Sequence, residues 1–314
     1  MSLLAKVLGN GPSGFGYGST AEEVTEGLSL HGKTMLVTGC NSGLGLETVR
    51  VLAKRGARVI GAARTEAKAR EATEGLQGTF IPVACELSDP ASVKACVAKV
   101  ASLEWKLDAI ICNAGIMMLP TLQTAHGYEL QFFTNHIGHF ILVTGLLDRL
   151  TDDGRVVILS SEGHKQAPKA GIELDNLNGQ RGYSGLKMYG QSKLANLLFA
   201  KELSRRFAGT RRTANALHPG VIATNLGRHL SPVMRAAFWL ARPLVLKTVE
   251  QGAATQVYAA THPSLRDVTG QYLASSNVAT PRQDANDLEL ARKLWDASEK
   301  IAAEVTATRA LDAA

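Results

Sequence analysis

Tyr189 and Lys193 stand four residues apart in a run whose apolar positions repeat at helical spacing. Leu194, Leu197 and Leu198 mark the pattern and Phe199 precedes Leu203 by four, which predicts a helix from Tyr189 to Phe207. Gly182 and Gly185 punctuate its start and Gly209 its end. On such a helix the two side chains share one face, a turn apart. The ammonium favours the phenolate, lowering the phenol from its reference pKa of about 10 and suiting the pair to proton transfer. Reaching about 7 takes roughly 4 kcal/mol, at about 1.36 kcal/mol per unit. One lysine does not supply all of that, so a second positive charge beside the phenol is expected.

A second constellation lies near the start of the chain. Lys33-Thr34-Met35-Leu36-Val37 reads as a strand, 38–45 as a turn, 46–55 as a helix and 58–63 as the next strand. The turn carries Gly39, Asn41, Ser42, Gly43, Leu44 and Gly45. Its glycines allow a sharp bend and close approach to a pyrophosphate, whose charge is favoured at the helix N-terminus. The spacing is Gly-x-x-x-Gly-x-Gly, not the Gly-x-Gly-x-x-Gly of the commonest dinucleotide fingerprint. At the end of the second strand stands Ala62-Ala63-Arg64-Thr65, where an acidic residue would bind a ribose hydroxyl and repel a phosphate. Arg64 can make charge-assisted bonds to a 2′-phosphate, so the expected cofactor is NADP(H). A surface arginine opening a helix is the plain alternative.

Strands and helices alternate from His31 onward and must position these residues. After the second strand come a helix through Glu66 to Gly75, a strand 79–84, a helix 90–103 and a strand 107–111. A last strand lies at Gly270-Gln271-Tyr272-Leu273 and a last helix at about 284–304. Such alternation implies an α/β fold, a doubly wound parallel sheet of the Rossmann type in a single domain. The expected organisation is an N-terminal arm at 1–30 with a short helix from Ala21, a dinucleotide-binding and catalytic domain at 31–283, and a C-terminal helix and tail at 284–314.

Further segments fall in a consistent order. They are Cys112-Asn113-Ala114-Gly115, Asn135-His136-Ile137-Gly138-His139-Phe140, the strand 155–159 with Ser160-Ser161, and His218-Pro219-Gly220-Val221-Ile222-Ala223-Thr224. With the two motifs above, the chain resembles the short-chain dehydrogenase/reductase superfamily over about residues 19–300. Ser19-Thr20-Ala21-Glu22-Glu23-Val24, Ser160-Ser161-Glu162-Gly163-His164 and Gln251-Gly252-Ala253-Ala254-Thr255 look like its retinol-dehydrogenase-like branch, which also holds WW-domain oxidoreductases and a chloroplast-envelope translocon component.

The resemblance implies that Tyr189 is the proton donor and that Ser161 bonds the same substrate oxygen. Lys193 would lower the tyrosine and hold ribose hydroxyls. Asn135 would anchor a water behind Lys193, unless it is a buried helix asparagine satisfying a backbone group. Asn113, with Ala114 and Gly115, and Thr224, with Pro219, Gly220 and Val221, would line the cofactor. Glu86 and Leu87 would stand at the adenine, where the family's usual residue is aspartate. The expected activity is NADP(H)-dependent interconversion of an alcohol and a carbonyl. A redox-sensing NADP(H)-binding scaffold with little turnover and a carbon–carbon double-bond (enone) reductase are the alternatives.

Composition agrees with an enzyme domain. The chain has 314 residues, 45% hydrophobic and 20% charged, which excludes disorder. A net charge of +6 is dispersed with no basic run beyond two residues, so no nucleic-acid partner is expected. The longest uncharged runs contain Asn, Gln, His and Pro and read as core, not as an integral membrane segment. Cys40, Cys85, Cys96 and Cys112 show no paired spacing, which suggests reduced thiols and a cytoplasmic setting. Three motifs are set aside. The phosphate-loop string Gly27 to Thr34 opens a strand instead of a helix. His136 and His139 lack a third ligand, so no metal is expected. Ser161 with His164 lacks a nucleophile elbow.

Two segments bear on the substrate. Residues 163–188 carry Pro168, Gly171, Gly179, Gly182 and Gly185 and are expected to form an irregular loop at the active-site mouth. Residues 225–246 hold ten large apolar side chains, among them Phe238 and Trp239, with Arg228, Arg235 and Arg242 seven apart. A lid over a small lipophilic carbonyl or alcohol is the expectation. Packing on the core, on a partner subunit of a homodimer, or on a membrane surface are the alternatives.

Overall fold

Short apolar runs, each closed by a glycine or polar turn, supply the strands of one sheet. The computed structural model describes residues 7–222 and 246–312, with side chains as far as residue 307. The strands are β1 Thr34–Thr38, β2 Arg58–Ala63, β3 Thr79–Ala84 and β4 Leu107–Cys112, then a small separate ribbon of β5 Thr124–Ala125 and β6 Tyr128–Glu129. Beyond it come β7 Leu150–Leu159, β8 Thr213–His218, β9 Tyr272–Ala274 and β10 Asn277–Val278. Eight of them run β10-β9-β8-β7-β4-β1-β2-β3 across the sheet, parallel except at β9–β10. Strand order reverses between β1 and β4, which opens a crevice at their C-terminal ends.

Helices cover both faces of this single domain. On one side lie α1 Gly43–Lys54, α2 Glu66–Thr73 and, further along the chain, α6 Val249–Thr261, burying Val49, Ala69 and Val257 with Val37 and Leu217. On the other lie α3 Pro90–Ala101, α4 at 130–146, α5 Gly185–Arg206 and α7 Leu288–Asp312, burying Val93, Phe140, Leu194 and Trp295 with Leu36 and Ile110. Strands sandwiched in this way have no polar face, which is why β1 is buried at every position. No helix among the described residues is long and apolar enough to cross a membrane.

Several element boundaries differ from the pattern-based expectation. The helix carrying Tyr189 begins at Gly185, because Ser184 caps it by accepting from Lys187 N. Gly185 is its first residue, since a Cβ there would strike the carbonyl oxygen of Leu119. The last helix starts at Leu288, where Asp287 Oδ1 accepts from Glu289 N and Leu290 N at 2.9 and 3.0 Å. Helix-favouring residues then carry it to Asp312. The arm holds a 3₁₀ turn, Glu23–Thr25, in place of a helix. A π turn, Phe133–Ile137, interrupts α4 and contains Asn135.

Candidate active site

The glycine turn follows β1 at the mouth of the crevice. Gly39 and Gly43 take φ of 68° and 51°, a region that favours glycine. At Gly45 a Cβ would collide with the carbonyl oxygen of Gly39 and stand 2.6 Å from Asn113 Nδ2. Ser42 precedes α1 without capping it through its side chain, so the first amides of the helix face the crevice. A glycine-lined cradle at a helix N-terminus fits a phosphate.

Asn113 ties this turn to β4. Its Nδ2 donates to Thr38 O at 2.8 Å, while Asn113 N and Ala114 N both donate to Thr38 Oγ1, at 2.9 and 3.0 Å. The Thr38 hydroxyl meets His139 Nε2 at 2.9 Å, and His139 Nδ1 meets Asn135 O at 3.0 Å. A carbonyl only accepts, so Nδ1 carries the proton and Nε2 accepts from Thr38. Burial pushes His139 down to about 4, in keeping with a neutral ring.

The other expected cofactor residues that the structure describes follow the C-terminal ends of β2, β3 and β8. Arg64 is exposed at the end of β2. Glu86 Oε1 accepts from Ser88 N and Oγ at 3.2 and 2.9 Å, which holds the turn after β3, and Leu87 is buried beside Gly138 of α4. Pro219-Gly220-Val221 follows β8, with Gly220 at φ 97° and Val221 exposed. Thr224 and the segment 225–245 lie outside the described residues.

Ser161, Tyr189 and Lys193 come together where β7 meets α5. Ser161 Oγ accepts from Gly163 N at 3.0 Å, and both Ser161 Oγ and the Tyr189 ring crowd the position a Gly163 Cβ would take. A Cβ on Gly163 would stand 2.7 Å from Tyr189 Cε1, so that glycine admits the ring. Lys193 is buried, its Nζ 5.8 Å from the Tyr189 ring centroid and donating to Leu159 O at 3.1 Å. Burial raises the Tyr189 phenol above its ordinary value, offset in part by Ser161. That differs from the expected lowering, because burial of the phenol itself dominates; Lys193 is desolvated too and pushed down to about 8.

Asn135 satisfies backbone groups, the second of its two expected readings. Its Nδ2 donates to Ile116 O and Ser192 Oγ, both at 2.9 Å, and its Oδ1 accepts from Ile116 N at 2.8 Å. Both amide protons are committed, so a water held here would meet acceptor oxygens alone. Lys193 Nζ and Asn135 Oδ1 stand 3.4 and 3.0 Å from where a Gly115 Cβ would lie, which explains that glycine.

Two supporting residues escaped the pattern reading. Gln131, fully buried, accepts from Met118 N at 2.6 Å and donates to Gly185 O at 3.2 Å, joining the loop after β4 to the start of α5. Arg282 donates to Ala167 O and Pro168 O, both at 3.0 Å, and its backbone N donates to His164 Nε2 at 3.1 Å. His164 thus serves the loop after Ser161. The insert at 163–188 holds 3₁₀ turns, Glu162–Gln166 and Leu174–Asn176, before α5 begins. Neither Gln131 nor Arg282 falls in a motif, and each acts through distant backbone.

Comparison with known proteins decides the family. The short chain dehydrogenase family profile matches residues 33–234. The chain belongs to the short-chain dehydrogenase family. Its relatives place it in the retinol-dehydrogenase-like branch. It is 42% identical to short-chain dehydrogenase TIC 32 A, chloroplastic, of Brassica napus, covering 96% of this chain and 98% of that one. With retinol dehydrogenase 14 of Homo sapiens it shares 39% identity over 86% of each chain. Among solved structures, an uncharacterized protein from Mycobacterium paratuberculosis superposes with a TM-score of 0.73 at 34% identity, covering 89% of this chain and 96% of that one. Short-chain dehydrogenases are oxidoreductases that bind a nicotinamide cofactor, and the glycine cradle at α1 fits its pyrophosphate.

Proposed function

We propose that this protein is an NADP(H)-dependent oxidoreductase that interconverts a lipophilic alcohol and its carbonyl. The observation that carries the reading is the convergence of Ser161 Oγ and the Tyr189 ring on Gly163, beside a buried Lys193. The cradle Gly39, Asn41, Ser42, Gly43, Leu44 and Gly45 would hold the pyrophosphate, and Arg64 a 2′-phosphate. Glu86 and Leu87 would line the adenine, with Asn113, Ala114, Gly115, Pro219, Gly220, Val221 and Thr224 along the ribose and nicotinamide. When bound, the cofactor supplies or takes up the electron pair of the reaction.

The chain's own residues handle the proton. Gly163 N occupies a lone pair of Ser161 Oγ, leaving the serine hydroxyl proton to bond a substrate oxygen. Tyr189 Oη gives that oxygen its proton in the reductive direction and takes it in the oxidative one. Lys193, held by Leu159 O, keeps positive charge beneath the phenol and favours its ionised form. Desolvation raises the phenol, and the charge on Lys193 would oppose that rise.

Leu186, three residues before Tyr189 on α5, and Val221 after β8 are exposed large apolar side chains. This supports a lipophilic substrate, as do the names of the retinol dehydrogenases among the relatives. The deciding experiment follows NADPH oxidation with a panel of ketones, aldehydes and enones. Turnover of ketones or aldehydes supports the proposal. Turnover of enones alone reassigns the reaction to carbon–carbon double bonds, and tight NADPH binding without turnover reassigns the protein as a binder.

A further inference from the structure

Lys247 stands just before α6 and is 2% exposed. No carboxylate among the described residues pairs with it, and segment 223–245 contains neither Asp nor Glu. Burial pushes its pKa down to about 8. A methionine would fill the same volume without the penalty of desolvating an ammonium. The charge therefore has a use beyond packing.

Its contacts run in two directions. Towards the crevice, Lys247 N donates to Val221 O at 2.9 Å, and Ile222 pairs with it in a parallel bridge. The stem lies under Gly220, whose absent Cβ would stand 2.6 Å from Lys247 Cδ. Away from the crevice, Nζ sits 4.5 Å from the Tyr17 ring centroid and donates to Ser275 Oγ at 3.3 Å. Tyr17 belongs to the N-terminal arm, and the arm is anchored on both sides of it. Before Tyr17, Ser13 N donates to Asn277 Oδ1 and Asn277 Nδ2 to Phe15 O, both at 2.9 Å. After it, Gln251 Nε2 donates to Gly18 O at 3.0 Å and Ala21 N to Glu250 O at 2.9 Å. The ring is a fixed support and the lysine a strut between it and the turn.

We propose that Lys247, braced by Tyr17, is a positioning residue for the Pro219-Gly220-Val221 turn, and that the arm thereby sets cofactor affinity. The inference rests on the reading of that turn as part of the nicotinamide site. The arm need not touch the cofactor for this. Its ring holds the ammonium through a cation–π contact, and the stem holds Gly220.

The test compares the full-length protein with Lys247→Met, Tyr17→Leu, Tyr17→Phe and the Lys247→Met/Tyr17→Leu double variant. Protein fluorescence gives the NADPH Kd, steady-state assays give KM and kcat, and thermal melts report stability. Loss of the contact should raise Kd and KM for NADPH about fivefold in each of the first two, with the loss falling on these constants and not on kcat. Because both act through one contact, the double variant should be no worse than either single variant. Tyr17→Phe keeps the ring and should retain wild-type affinity. An unchanged Kd in Lys247→Met, additive losses, or a Tyr17→Phe as weak as Tyr17→Leu would each overturn the strut. Wild-type protein that binds neither NADPH nor NADH would sink the functional reading and the strut with it. Wild-type binding with an unaffected Lys247→Met sinks the strut alone.

Discussion

Asn135 holds both main-chain groups of Ile116, donating to its carbonyl at 2.9 Å and accepting from its amide at 2.8 Å. That one side chain fastens the exit of β4 to the π turn of α4, and through Ser192 to α5. The residues assigned to the ribose and the residues assigned to the proton are thus held in one frame. A short list of substitutions tests what this frame does.

Tyr189→Phe should reduce kcat by ~10²–10⁴-fold while leaving NADPH affinity nearly intact, since the hydroxyl moves a proton and contributes little to holding the dinucleotide. Steady-state rates and a fluorescence titration of the purified variant check both halves. Retention of more than about a tenth of wild-type turnover would show that the proton comes from elsewhere.

NADPH should be strongly preferred to NADH, and Arg64→Gln should erase most of the preference. Each charge-assisted bond from the guanidinium to a 2′-phosphate is worth about 1.5–3 kcal/mol, roughly 10- to 150-fold. The ratio of kcat/KM for the two cofactors, in wild type and variant, is the measurement. Equal efficiency in the wild type would count against Arg64.

Gly45→Ala should abolish cofactor binding and lower stability by about 1–3 kcal/mol, the usual range for overpacking. The added methyl meets backbone at Gly39 and the amide of Asn113, and neither yields without opening the turn. Urea denaturation and NADPH titration separate the two effects. A variant that binds normally would mean that the cradle is looser than its geometry.

Stability should fall as pH drops below about 6.5, before most carboxylates titrate. His136 and His139 are buried, and desolvation pushes them down to about 3 and about 4 from 6.5. Their folded pKa values lie below the unfolded one, so each contributes stability that is complete above 6.5 and lost as pH falls toward the folded value. Each loss approaches about 1.4 kcal/mol per pH unit in that window. Urea midpoints between pH 7.5 and 4.5 report it, and His139→Gln should flatten the dependence. A midpoint independent of pH across that window would contradict the neutral burial of both rings.

Within a homologous series of aldehydes or alcohols, catalytic efficiency should rise about fourfold per methylene, or about 0.8 kcal/mol, until the pocket is full. The apolar residues of 225–246 and the exposed Leu186 and Val221 motivate this. A flat response, or a best substrate that is small and charged, would remove the lipophilic reading.

Local pattern made the sheet legible, because strands buried on both faces read as continuous apolar runs and glycine turns mark their ends. The order Gly39–Gly45, Asn113, Ser161, Tyr189, Lys193 could be read for the same reason, since each lies in a short motif. The phenol's electrostatics could not. Helical spacing placed Lys193 a turn from Tyr189 but said nothing of how deeply both would be desolvated. Nor could spacing reveal that Asn135 is committed to Ile116 or that Lys247 reaches Tyr17, contacts made across 19 and 230 positions by the tertiary fold. Helix starts shifted where capping by Ser184 and Asp287 overrode the apolar period.

The grip of Arg282 on the loop after Ser161 has a consequence for the order of assembly. Arg282 N and His164 Nε2 are 118 positions apart, so the contact forms only after nearly all of the chain has been synthesised. The glycine turn and the Asn113 that ties it, by contrast, lie within the first 113 residues. A growing chain therefore acquires its pyrophosphate turn well before the serine loop is fastened. Contacts of such long separation are slow to form. The arm that steadies the Pro219-Gly220-Val221 turn closes over 264 positions, from Ser13 to Asn277, so full cofactor affinity and turnover should both return late in refolding.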